Sequence, residues 1–173
     1  MKFSRYSNGF NLIELITTMS IFSLLSMIAL PSFKNLQQQL RVDSNLRTIQ
    51  QSMQFARNMA INYGTRVTVC PLSEGKCSRD WQSGYVIFTD SGKTNEFNSS
   101  DVILLEVNQF NQEDIVQYNR LAVRYQPDGL ASGTNGTLTY CPESHNSPNS
   151  KALVINQAGK VRFSTKKTII CKN

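Results

Sequence analysis

At 173 residues the chain is long enough for one domain with a real core, and no second domain is expected. Eighteen basic residues against twelve acidic ones give a formal charge of +6, a balance that favours anionic partners. A single histidine, His145, and four cysteines without a Cys-x-x-Cys pair argue against a zinc centre, and no nucleophile elbow or phosphate loop supports an enzyme.

The N-terminus reads Lys2 and Arg5, then Gly9-Phe10-Asn11-Leu12-Ile13-Glu14-Leu15, then uncharged sequence as far as Phe33. A secretory signal is cut after its apolar segment, whereas Gly9 stands before this one, so cleavage there leaves the apolar segment on the mature protein. Phe10 to Leu30, at about 1.5 Å per residue, reaches across a hydrocarbon core of roughly 30 Å. Lys2 and Arg5 favour the cytoplasmic side, which sends everything after Pro31 across the membrane. Glu14 is the exception within the span, because a carboxylate at membrane depth costs about 2.5 to 3.5 kcal/mol and therefore calls for a partner.

This arrangement resembles the class III signal of type IV pilins and pseudopilins. The resemblance implies that a prepilin peptidase cuts after Gly9 and methylates Phe10, and that Glu14 meets the free amine of a neighbouring subunit as it leaves the bilayer. It also implies residence in the bacterial inner membrane, single-pass with the N-terminus inside, before assembly into a surface pilus with other major and minor pilins. No cofactor is implied.

Beyond Pro31 the apolar residues Leu36, Leu40, Leu46, Ile49, Met53, Ala56, Ala60 and Tyr63 keep helical spacing, and Gly64 is placed to cap the helix. Pro31 is expected to bend it. After Gly64 the pattern changes to short runs rich in Val, Ile, Thr, Tyr and Phe, read as strands at 66–70, 85–89, 102–107, 121–125, 137–141, 152–155 and 161–164. The polar stretches 91–100 and 143–150 are expected to be exposed loops. The expected fold is α+β, a long N-terminal helix packed on an antiparallel β-sheet or small β-sandwich. Residues 1–9 form the leader, 10–30 the transmembrane and filament-core segment, 31–63 its amphipathic continuation and 64–173 a periplasmic or extracellular head.

Cys70, Cys77, Cys141 and Cys171 all fall in the part expected outside the cytoplasm, which favours disulfides. Three pairings are possible. Cys70 with Cys77 and Cys141 with Cys171 is the favoured one, since each joins neighbours in the expected order.

Charge is unevenly distributed. Removing Lys2 and Arg5 with the leader lowers the net charge from +6 to +4, and the last acid is Glu143, while Lys151, Lys160, Arg162, Lys166, Lys167 and Lys172 follow it. From Tyr63 to Glu143 there are instead six basic and ten acidic residues, so the C-terminal end is expected to form a positive patch. Val67-Thr68-Val69-Cys70-Pro71, Trp81 to Asp90, Asp128-Gly129, Leu138 to Cys141 and Gly159-Lys160-Val161-Arg162 together resemble the FimT/GspH-type minor pilins. In the FimT branch a C-terminal Gly-Arg-x-Arg motif is associated with DNA binding during natural transformation. The resemblance thus implies that Gly159, Lys160 and Arg162 bind DNA, and the basic run adds Lys166 and Lys167 as further phosphate contacts without sequence preference. Lys160 replaces the first Arg, keeping the charge and losing the planar fork. The alternatives are a structural minor pilin or type II secretion pseudopilin that primes assembly, and an adhesin for anionic surfaces.

Overall fold

The computed structural model describes residues 11–131 and 133–172, so Gly9 and Phe10 of the expected processing site lie outside the described residues. These residues divide into two compact units, one ending at Gln38 and the other running from Gln39. Helix α1 (Leu12–Tyr63) contributes to both and contains Pro31. In the first unit apolar side chains such as Leu12, Phe22, Leu25, Leu30 and Phe33 stand exposed, and the helix is long and apolar enough to cross a membrane. The hydroxyls of Thr17, Thr18, Ser20, Ser23 and Ser26 each donate to a carbonyl three or four residues earlier, at 2.8 to 3.0 Å. These bonds give each polar side chain a partner without water.

In the second unit the helix buries Val42, Leu46, Ile49, Met53, Ala56 and Ala60, a strict alternation of four- and three-residue steps that keeps one seam facing the strands. The predicted stripe differs at its ends. Extending the seam backward by three reaches Gln39, so Leu40 sits about 100° around the helix and is 62% exposed. Leu36, in the first unit, and Tyr63 are exposed as well. Tyr63 keeps the spacing but is the last helical residue, after which the chain turns away at Gly64, whose φ is +61°.

Ten strands follow among the described residues: β1 (Val67–Cys70), β2 (Leu72–Ser73), β3 (Lys76–Cys77), β4 (Tyr85–Thr89), β5 (Ile103–Val107), β6 (Ile115–Tyr118), β7 (Val123–Tyr125), β8 (Gly136–Cys141), β9 (Lys151–Ile155) and β10 (Val161–Phe163). They form two four-stranded antiparallel sheets, ordered β5-β4-β1-β7 and β10-β9-β8-β6, with β2 and β3 as a separate ribbon. The fold is α+β, as the sequence predicts. Three of these strands had no counterpart in the sequence reading. β2 and β3 are two residues each, and β6 is a four-residue run inside polar sequence.

One core holds the helix seam and both sheets. At its centre Trp81 packs edge-on to Tyr118 with ring centroids 5.3 Å apart, and Phe110 packs edge-on to Tyr140 at 5.8 Å. A buried polar network fixes the helix beside them. Arg41 donates through Nε and Nη2 to both oxygens of Asp114 at 2.9 and 2.8 Å, Tyr140 Oη donates to Asp114 Oδ2 at 2.7 Å, and Asn45 Nδ2 donates to Tyr140 Oη at 2.6 Å.

The two polar loops are more firmly held than exposed segments would be. Asp90, fully buried, accepts from Thr68 Oγ1 and the Asn95 N–H. Asp101 accepts from Ser91 and Asn98. Burial works against its charge, but those hydrogen bonds hold its pKa below the usual carboxylate range. In the second loop Asn149 is buried and accepts from Gln39 Nε2, and the His145 carbonyl accepts from the Cys171 N–H, so His145 is half-buried rather than solvated.

Burial raises the pKa of Tyr85 to about 12 and raises those of Tyr118, Tyr125 and Tyr140 as well, the last also through its bond to Asp114. A folded-state pKa above the unfolded value contributes stability that is complete below the unfolded pKa, near 10, and is lost as pH rises beyond it. Unfolding free energy is therefore expected to fall above pH 10 by up to about 1.4 kcal/mol per pH unit per tyrosine. Urea melts between pH 8 and 11.5 check this; an unchanged midpoint at pH 11 contradicts it.

Candidate nucleic-acid interface

The β9–β10 hairpin carries the basic motif. Its turn closes with the Gly159 N–H on the Asn156 carbonyl and the Asn156 N–H on the Lys160 carbonyl, both at 3.0 Å, while Asn156 Oδ1 accepts from the Lys160 N–H at 2.9 Å. Lys160 precedes β10. Val161 is buried, Arg162 exposed, and Phe163 half-buried against the core, so strand alternation sends the charges outward and the apolar residues inward. Lys166 and Lys167 follow, both exposed.

Gly159 is required here for a positional reason. Its φ is +75°, and a Cβ would collide with the Gly129 carbonyl and stand 3.0 Å from Arg57 Nε. Two tight turns and an arginine thus meet at one point, joined also by the Ala131 N–H on the Gln157 carbonyl at 3.0 Å. Gly159→Ala is expected to cost about 2 kcal/mol from its left-handed conformation and the collision together. Thermal unfolding checks this, and a loss below half that value would contradict it.

Helix α1 lines the other side of β10. Gln50 Nε2 donates to the Val161 carbonyl at 3.2 Å, and Arg57 Nε donates to the Gly129 carbonyl at 2.9 Å. One groove is lined by Gln54, Arg57, Asn58, Gly159, Lys160 and Val161. A second brings Arg47 beside Lys166 and Lys167 over Phe163; its one acid, Asp43, is taken by Lys151 at 2.5 Å. Among the described residues Arg47, Arg57, Lys160, Arg162, Lys166 and Lys167 have no ion-pair partner. Arg47 and Arg57 were missed in the sequence. The signal is their spacing: 47, 50, 54 and 57 each follow a seam residue by one, which places them on the face bordering the buried stripe.

The other residues singled out lie elsewhere. Glu14 is exposed in the first turn of α1. Cys70 is bonded to Cys77 with Cα atoms 5.5 Å apart, closing the β2–β3 ribbon, and Cys141 to Cys171 at 6.2 Å, tying the C-terminal tail to β8. No cluster of metal-ligating side chains exists among the described residues.

The family model for the type II transport protein GspH matches residues 45–159 and so ends one residue before Lys160. Two crystal forms of the type IV minor pilin FimU from Pseudomonas aeruginosa share the fold. One superposes with a TM-score of 0.59 at 15% identity, covering 75% of this chain and 92% of that one. The other gives 0.56 at 16% identity, covering 70% and 91%. No curated protein is matched by the sequence.

Proposed function

The chain belongs to the GspH family of pilin-like minor pilins and pseudopilins, and from that premise we propose that it is a type IV minor pilin that captures extracellular DNA for natural transformation. The observation that carries this reading is the row of exposed cations at Lys160, Arg162, Lys166 and Lys167, without an ion-pair partner among the described residues. Cations presented outward from the hairpin and from the segment that follows it suit phosphate contacts, which give affinity without sequence preference. The same reading has a prepilin peptidase cut after Gly9 and methylate Phe10. It also gives Glu14 the neighbouring subunit's amine as its partner during assembly from the inner membrane into the pilus.

Binding of a random-sequence duplex by the full chain in nonionic detergent, measured by fluorescence anisotropy across a salt series, tests the proposal. Four phosphate contacts predict a log–log salt slope of about −3 to −4. Lys160→Ala/Arg162→Ala is expected to weaken binding and flatten the slope by about 2. Equal binding of heparin would instead favour an adhesin for acidic surfaces, and no binding at low salt would remove the DNA reading.

A second reading, a structural subunit that primes a pilus or type II secretion filament, is favoured by exposed apolar residues such as Leu12, Phe22, Leu25, Leu30 and Phe33. It predicts that Glu14→Ala lowers filament number while Lys160→Ala/Arg162→Ala leaves it unchanged. Counting pili by electron microscopy separates the two effects.

A further inference from the structure

We propose that α1 supplies half of the phosphate-binding surface: Arg47 and Arg57 bind the nucleic-acid backbone together with the hairpin, so that the strand of DNA lies along the seam between α1 and β10. This rests on the DNA-capture reading and extends it to residues outside the C-terminal motif.

The seam has an order. Gln54, Arg57 and Asn58 lie beside Lys160, Gln50 bonds the Val161 carbonyl, and Arg47 lies beside Lys166 and Lys167. The strand therefore runs antiparallel to the helix, and each helical arginine meets a basic partner from the other wall. Arg47 and Arg57 are ten positions apart on one helical face, about 15 Å at 1.5 Å per residue. Duplex DNA carries one phosphate per roughly 3.4 Å of axis on each strand, so that span corresponds to about four phosphates of one strand. A tail-only site would touch the duplex at the hairpin alone.

Arg57 also supplies the chemistry that Lys160 lacks. Its Nε is held by the Gly129 carbonyl at 2.9 Å, which fixes the guanidinium plane and leaves both Nη groups without a partner among the described residues. A fixed fork binds a phosphate bidentately, which an ammonium cannot do. Gly159 keeps the fork in place, because a side chain there would meet Arg57 Nε and Cδ. The residues lining the Arg57 groove include no aromatic, and Phe163 at the other end is a single ring half-buried against the core, so the seam offers cations far more than base-stacking surface. The ligand class is the phosphate backbone itself, with duplex bound at least as tightly as single strand.

The test uses the full chain in nonionic detergent and a labelled random-sequence duplex over a salt series. Six contacts predict a slope of about −5, falling to about −3.5 in Arg47→Ala/Arg57→Ala with at least a ten-fold loss of affinity near 0.1 M salt. Arg47→Lys/Arg57→Lys is expected to keep the slope and bind more weakly than the parent, the signature of a lost fork. Since Arg57→Ala also removes the tether to Gly129, Arg57→Gln serves as the second variant: it retains an amide donor without charge, and a slope reduced by about 1 at an unchanged melting temperature supports the proposal. A parent slope of −3.5 that these variants leave unaltered, while Lys160→Ala/Arg162→Ala abolishes binding, overturns the helical contribution and leaves DNA capture standing. Absence of any binding by the parent overturns both.

Discussion

Replacing Arg41 with methionine is expected to destabilise the head by about 3 to 5 kcal/mol, because it strands the carboxylate of Asp114 in the core. Asp114 has no side-chain exposure, whereas Arg41 keeps 24% of its side chain in water. The loss therefore comes from the desolvated acid far more than from the partly screened attraction between the charges. Burial works against the Arg41 charge, but its hydrogen bond to Asp114 and the nearby carboxylates of Asp114 and Glu143 raise its pKa, so the guanidinium stays charged. With Arg41 gone, Asp114 retains only the hydroxyl of Tyr140 among the hydrogen bonds described. At about 2 to 4 °C per kcal/mol for a domain of this size, the melting temperature should drop by roughly 10 °C. The double variant Arg41→Met/Asp114→Asn should recover part of that loss, since a neutral amide can still accept from Tyr140. A single variant within 1 kcal/mol of the parent would show that Asp114 finds water or another partner.

Removing the Cys141–Cys171 bond is the second large effect. It closes a separation of 30 residues, and the chain-entropy relation assigns such a loop about 3 to 4 kcal/mol, against roughly 2.4 kcal/mol for the seven-residue separation of Cys70 and Cys77. Cys141→Ser/Cys171→Ser should thus melt lower than Cys70→Ser/Cys77→Ser. The tail it frees is otherwise held by few contacts: the Cys171 N–H on the His145 carbonyl, and the paired bonds between Gln117 and the Lys172 backbone at 2.8 and 2.9 Å. Lys166 and Lys167 lie between β10 and that anchor. Their mobility should rise when it is cut, and any affinity they contribute should fall through the entropy of reordering them. Equal melting temperatures for the two double variants would refute the ranking.

The sequence made the helix and most strands legible because both rest on local periodicity. The seam from Leu46 to Ala60 and the alternation through Tyr85 to Thr89 are written in neighbouring residues. What it hid depends on pairing between distant segments. β6 becomes a strand because β8 offers it a full antiparallel partner from Leu138 to Cys141. Leu40 was misplaced because a simple apolar count does not register the rotation of the seam by one residue. The basic hairpin was visible as an acid-free C-terminal stretch, yet Arg47 and Arg57 looked like ordinary polar-face residues until the helix was laid along β10. Asp90, Asp101 and Asp114, buried and bonded, were counted merely as negative charges on the surface.

The inward–outward alternation of β10 separates two kinds of selection. Val161 and Phe163 answer to the core, while Lys160 and Arg162, standing in solvent beside them, can be exchanged at a typical surface cost within about 0.5 kcal/mol. Positive charge on this edge can therefore be gained or erased in a lineage by a few codon changes that leave folding alone. Subunits sharing this backbone are free to diverge in surface charge, with the difference carried by outward positions on and just before a strand three residues long.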